Sequence, residues 1–204
     1  MKNKGFILLV AIMIISVTLV TFVSKTYSLF TSRDQVTNEL RNGNVDVEIN
    51  ENGFKDIVKW NGTSTNKVVT IVNKSNVDTL IRVAVVLRWV DEKGEPWMGD
   101  TSLVNVVYPN LSDGQEVENS KWVKDAYSKY YYYNTLVSEN NETSPLIQSV
   151  EASIPNELKE RYNGKKLIVD IKAETVQGTK AAYNSVWSDR DKTIDSMLDK
   201  LCKN

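Results

Sequence analysis

Residues 79–90 read TLIRVAVVLRWV, twelve positions without glycine or proline and dominated by Val, Ile and Leu. A run this rich in β-branched side chains predicts a long strand, apolar on both faces in its middle. DEKG (91–94) follows it with Asp at the first and Gly at the fourth position of a tight turn. A second long strand is expected at KKLIVDIKAETV (165–176), where Leu167, Val169 and Ile171 alternate with their neighbours. Working outward, Val45, Val47 and Ile49 alternate with Asp46 and Glu48 between turn signals at NGN (42–44) and ENG (51–53). VVTIVNKS (68–75), SLVNVVYP (102–109), SKYYYYN (128–134) and PLIQSVEASI (145–154) complete seven or eight strands. Strands at this spacing, joined by turns, predict an antiparallel sandwich and not a parallel α/β sheet.

Helical signals are fewer. NELKERY (156–162) starts behind Pro155, and the tail carries Ile194, Met197, Leu198 and Leu201 at helical spacing. That tail reads either as a helix lying on the sandwich or as a partly free amphipathic end. No repeat or low-complexity linker divides the chain, so one domain is expected behind a targeting segment.

That segment is MKNKGFILLVAIMIISVTLVTFVSK, with Lys2 and Lys4 ahead of an uncharged apolar run from Gly5 to Val23. The layout is that of an export signal, and the run is also long enough to span a bilayer. Thr26 and Ser28 supply the small residues for cleavage between Ser28 and Leu29, giving a signal peptide of 1–28. Left uncleaved, the run would anchor the domain outside the membrane with its N-terminal lysines inside. Either way the body is expected to be extracytoplasmic.

Composition narrows the chemistry. The chain is 41% hydrophobic and 25% charged. Without its first 28 residues, which carry three lysines and no acid, it has a net charge near −4. An acidic body without a basic stripe argues against nucleic acid, whose binding depends on Lys and Arg against phosphates. The absence of histidine excludes Ser-His-Asp and Cys-His catalysis and any zinc site that needs imidazole. Cys202 is alone and can form no internal disulfide. Phosphate-binding glycine loops and the GxSxG elbow are missing, so neither a nucleotide cofactor nor a catalytic residue is expected. DRDKTID (189–195) lacks the glycine and terminal Glu of a calcium loop and reads as a solvated helical face.

Two features invite a functional reading. On a strand, Tyr131 and Tyr133 face one way and Tyr130 and Tyr132 the other; the first pair could form a stacking platform for sugars. The plainer reading, which we favour, is a strand that buries its rings and turns its hydroxyls outward. Lys67 and Lys172 sit in strands where a buried lysine could crosslink to Asn or Asp, although strand lysines usually face water.

The segment YSLFTSRDQVTNELRNGNVDVEINENG (27–53) resembles the start of the mature region in Gram-positive exported proteins processed by the signal peptidase SipW, the group of TasA and camelysin. The resemblance rests on Phe30 just after the cleavage point, on Asn38-Glu39-Leu40, and on the strand Gly43-Asn44-Val45-Asp46-Val47. YYYYN (130–134), SPLIQSV (144–150), VDIKAETVQ (169–177) and AAYNSVW (181–187) are similar to the clostridial BsaA-type biofilm matrix branch.

The resemblance implies a jelly-roll-like antiparallel β-sandwich with short helices, secreted to the cell surface. It also implies fibre subunits that polymerise head-to-tail by donor-strand addition. Carried onto this chain, the donor begins at Leu29-Phe30-Thr31, the segment 29–44 links it to the sandwich of 45–204, and Phe30 is the leading anchor. The partners implied are other copies of the chain, a SipW-type peptidase, and an accessory or anchoring matrix protein. Camelysin-like members are assigned metalloprotease activity; a chain without histidine departs from that, and we expect no enzyme here. The alternative is a tethered or secreted surface domain that binds a carbohydrate or a host protein. Scattered carboxylates are all that speaks for a hydrolase.

Overall fold

The computed structural model describes residues 45–52, 64–112 and 121–202. Signal cleavage at Ser28 and Leu29 and the donor segment Leu29, Phe30 and Thr31 lie outside the described residues. Ten strands run in chain order: β1 (Val47–Asn52), β2 (Thr65–Asn73), β3 (Thr79–Val90), β4 (Pro96–Trp97), β5 (Val104–Val107), β6 (Leu111–Ser112), β7 (Trp122–Lys124), β8 (Tyr130–Tyr133), β9 (Ile147–Ala152) and β10 (Lys166–Gln177). Among the described residues three α-helices accompany them: α1 (Lys159–Tyr162), α2 (Lys180–Val186) and α3 (Lys192–Leu201).

The strands form two sheets, one in the order β1-β2-β9-β5 and one in the order β10-β3-β8-β7-β6, with β4 also paired to β3. All pairs are antiparallel except β6 with β7. The pairing is nested, β2 with β9 and β3 with β8, as a jelly roll winds. The chain is therefore mainly β and antiparallel, with short helices and a C-terminal helix, as the sequence predicts.

The pleat sorts side chains between two apolar layers. Val69 and Ile71 of β2, Ile81 and Val83 of β3, and Leu167 and Val169 of β10 meet between the sheets. Leu80, Tyr132 and Val176 point to the opposite face of the second sheet, where Tyr183, Trp187, Ile194, Met197 and Leu198 of the C-terminal region cover them. The helix expected from the spacing of Ile194 to Leu201 is α3, and it lies on the sandwich. Asp191 caps it, accepting from Ile194 N at 2.8 Å through Oδ1 and from Ala126 N at 2.8 Å through Oδ2. DRDKTID holds the start of a helix pinned to the β7–β8 connection, with Asp189, Lys192 and Thr193 exposed as a solvated face expects; beside it the Arg190 guanidinium covers the Tyr183 ring, 4.9 Å from its centroid.

Two further expectations change. The turn placed at ENG (51–53) begins too early: Glu51 is still in strand, opposite Val69, with its carboxylate 2.5 Å from Lys67 Nζ. The middle of β3 is covered on one face only, because the helices reach Leu80 and leave Val86 52% exposed. The turn at 91–94 forms as expected, with Gly94 N donating to Asp91 O and Gly94 at φ 86°.

Candidate functional site

Two parts of the fold bear on function: the four-tyrosine strand β8 and the sheet edges. The rings of Tyr131 and Tyr133 are each only 7% exposed and lie between the sheets. Tyr131 stacks on Tyr108 with ring centroids 5.0 Å apart. The Tyr133 hydroxyl accepts from Ser144 N at 3.0 Å, and the Trp122 indole N–H beside it donates to Ser144 O at 2.9 Å. Burial, and then the hydrogen bond with Tyr131, push the Tyr108 phenol up. A sugar platform needs ring faces at the surface; these faces are inside, and the Tyr133 hydroxyl, which the plainer reading turns outward, is bound to Ser144.

The other two tyrosines serve a charge cluster that sequence reading missed. Arg82 of β3 faces Glu174 of β10 through their shared partner strand register, with Nε 2.8 Å from Glu174 Oε2. Its guanidinium lies 3.9 Å from the Tyr130 ring centroid and 4.9 Å from that of Trp187, and its Nη1 donates to the Tyr132 hydroxyl at 3.1 Å. Tyr130 donates its hydroxyl to Glu174 Oε1 at 2.7 Å, and Lys172 reaches the same oxygen at 2.8 Å. Burial alone would raise the Glu174 carboxyl, but the hydrogen bonds from Lys172, Tyr130 and Arg82 overcome it and bring it down to about 2. Both carboxylate oxygens are engaged, and through Arg82 the cluster joins Trp187, at the end of α2, to the sheet. The signal in the sequence was the arginine in the middle of an apolar strand; its partner could not be named without the register.

Of the two lysines considered for crosslinks, Lys67 is the buried one, its side chain 1% exposed and paired with Glu51. Lys172 is 68% exposed and paired with Glu174. Among the described residues no group of three His, Cys, Asp or Glu could hold a metal ion. No described helix is long and apolar enough to cross a membrane.

The edges remain. β1 and β5 end one sheet, β10 and β6 the other. Among the described residues nothing pairs with the outer side of β10, which runs twelve residues in unbroken register with β3. On its inner side Ile49 of β1 shares the face of Ile71 yet is 36% exposed. Unpaired backbone groups along such an edge accept an added strand. No family model, curated protein or solved structure matches this chain.

Proposed function

We propose that this protein is a non-enzymatic, exported structural subunit of an extracellular biofilm matrix fibre. After signal removal, the segment beginning Leu29-Phe30-Thr31 of one subunit adds as a strand to a sheet edge of the next. Main-chain hydrogen bonds supply the affinity and pockets for alternate side chains fix the register. Because the two surfaces in that contact differ, the contact repeats without closing and yields a filament. The observation that carries the reading is an antiparallel sandwich whose edge strands have unpaired sides among the described residues. The resemblance of residues 27–53 to SipW-processed proteins supports it independently, as does the apolar run ahead of Ser28.

The test compares a tag-free protein beginning at Leu29 with one that keeps several residues ahead of it, by size-exclusion chromatography and negative-stain electron microscopy. Filaments from the first and none from the second are expected. Absence of filaments from both overturns the reading in favour of a tethered binding domain.

A further inference from the structure

A regular edge strand of twelve residues is a hazard that proteins normally blunt with proline, a bulge, short length or an inward-pointing charge. β5 has four residues and β6 two, so those edges are short. β10 uses none of these devices. It contains no proline, keeps register with β3 from Lys166 to Gln177, and turns Leu167, Val169, Ile171 and Ala173 inward. Its four charges, Lys166, Asp170, Lys172 and Glu174, share the parity of the outward face. A lysine on an edge repels most strands, but here an aspartate stands two residues before it.

We propose that β10 pairs with β10 of a second copy of this chain, antiparallel about a two-fold axis at Ile171. Backbone N–H and C=O groups point to the outer side of β10 at every second residue, so two copies of one strand can pair only in alternate registers. Two registers pair nearly the whole strand. The first sets Ile171 opposite the partner's Ile171, which brings Asp170 opposite the partner's Lys172 and Lys172 opposite the partner's Asp170. The second sets Lys172 opposite the partner's Lys172 and Asp170 opposite the partner's Glu174. Opposite charges across a strand pair stabilise it and like charges destabilise it, so the first register is selected. It also sets Val169 opposite the partner's Ala173, which extends the apolar inner face across the axis.

Both charges have partners within their own chain, Asp170 with Arg88 at 2.6 Å and Lys172 with Glu174 at 2.8 Å. Asp170 and Lys172 are 49% and 68% exposed, so sharing or exchanging those partners costs little. The contact is isologous and needs no free N-terminus, so it stands whether or not the fibre reading holds. Within a fibre it would join two filaments side by side.

The register predicts which single cysteines can crosslink. In the full chain carrying Cys202→Ser, an Ile171→Cys residue would sit directly opposite its own copy, at a separation a disulfide can bridge. Mild oxidation in the producing cells, followed by non-reducing electrophoresis, should give at least about tenfold more covalent dimer for Ile171→Cys than for Val169→Cys. Adding Ala173→Cys to Val169→Cys should restore the dimer, which provides a second reading if Ile171→Cys folds poorly. Placing Asp170→Lys in the Ile171→Cys chain should lower the yield about tenfold, and adding Lys172→Asp should recover it. No dimer from either cysteine design, equal dimer from Val169→Cys alone, or no recovery on charge exchange overturns the proposal; the first of these would mean that another segment covers β10.

Discussion

Between its two sheets the molecule holds chiefly aliphatic and aromatic side chains sorted by the pleat, together with the buried Lys67 paired to Glu51. Beneath its C-terminal helices the same second sheet presents something else. There an arginine is laid between two aromatic rings, a carboxylate has both oxygens engaged, and the indole N–H of Trp187 and Oδ2 of Asp125 are buried with no hydrogen-bond partner among the described residues. The inner layer is stabilised by area removed from water and by close packing. The outer layer depends on geometry, because each polar group taken from water there must meet its partner or carry the cost of desolvation. One layer should therefore respond to lost volume, the other to lost partners and to pH.

The largest effect is expected from the inner layer. Trp89 is 2% exposed, with the rings of Tyr162 and Trp97 against it at 4.9 and 6.4 Å. Trp89→Ala should cost about 3–5 kcal/mol in denaturant unfolding, with no added dependence on pH. Arg82→Ala comes next, at about 2–3 kcal/mol, since Glu174 is left partly buried with only Lys172 and Tyr130. Because the Glu174 carboxyl is depressed in the folded state, its contribution is present above the ordinary carboxylate pKa of 4.5 and is lost as pH falls toward about 2. Stability measured across that window should fall in the native chain and fall less in Arg82→Ala; parallel curves would break the distinction between the layers. Asp191→Ala removes both a helix cap and the bond to Ala126, and should cost about 1–2 kcal/mol while chiefly increasing amide exchange in α3. Arg88→Ala, at an ion pair about half exposed, should change stability by about 0.5 kcal/mol or less.

The inner layer was also the more legible one. The strand expected at 79–90 has the observed bounds of β3, and that expected at 165–176 lies within a residue of β10. Alternation is a property of the strand itself, so Leu167, Val169 and Ile171 announce their shared face without knowledge of a partner. β4, β6 and β7 were not anticipated, because two or three residues cannot display a period. The outer layer needed information that no local pattern holds: Arg82 and Glu174 are brought together by register, and Tyr183 and Trp187 by the path of the chain after Gly178. Asp191 had a local signal, an aspartate three residues ahead of the first buried helical position, and the neighbouring charges hid it. Tyr131 and Tyr133 show the limit of reading an aromatic run, since alternation divides four tyrosines into two pairs and does not say which pair is covered.

The partnership of β3 with β10 also governs when this chain can fold. Lys166 faces Val90 and Gln177 faces Thr79, 76 and 98 residues away along the chain. Closing loops of that length precedes any return from the contacts they permit, so the second sheet is a late and slow event. Until residue 177 has emerged, β3 has an apolar strand's worth of unpaired backbone and no permanent neighbour on that side. A chain delivered N-terminus first could thus close its first sheet once Ala152 had arrived, and would complete the second only when nearly all of it had emerged.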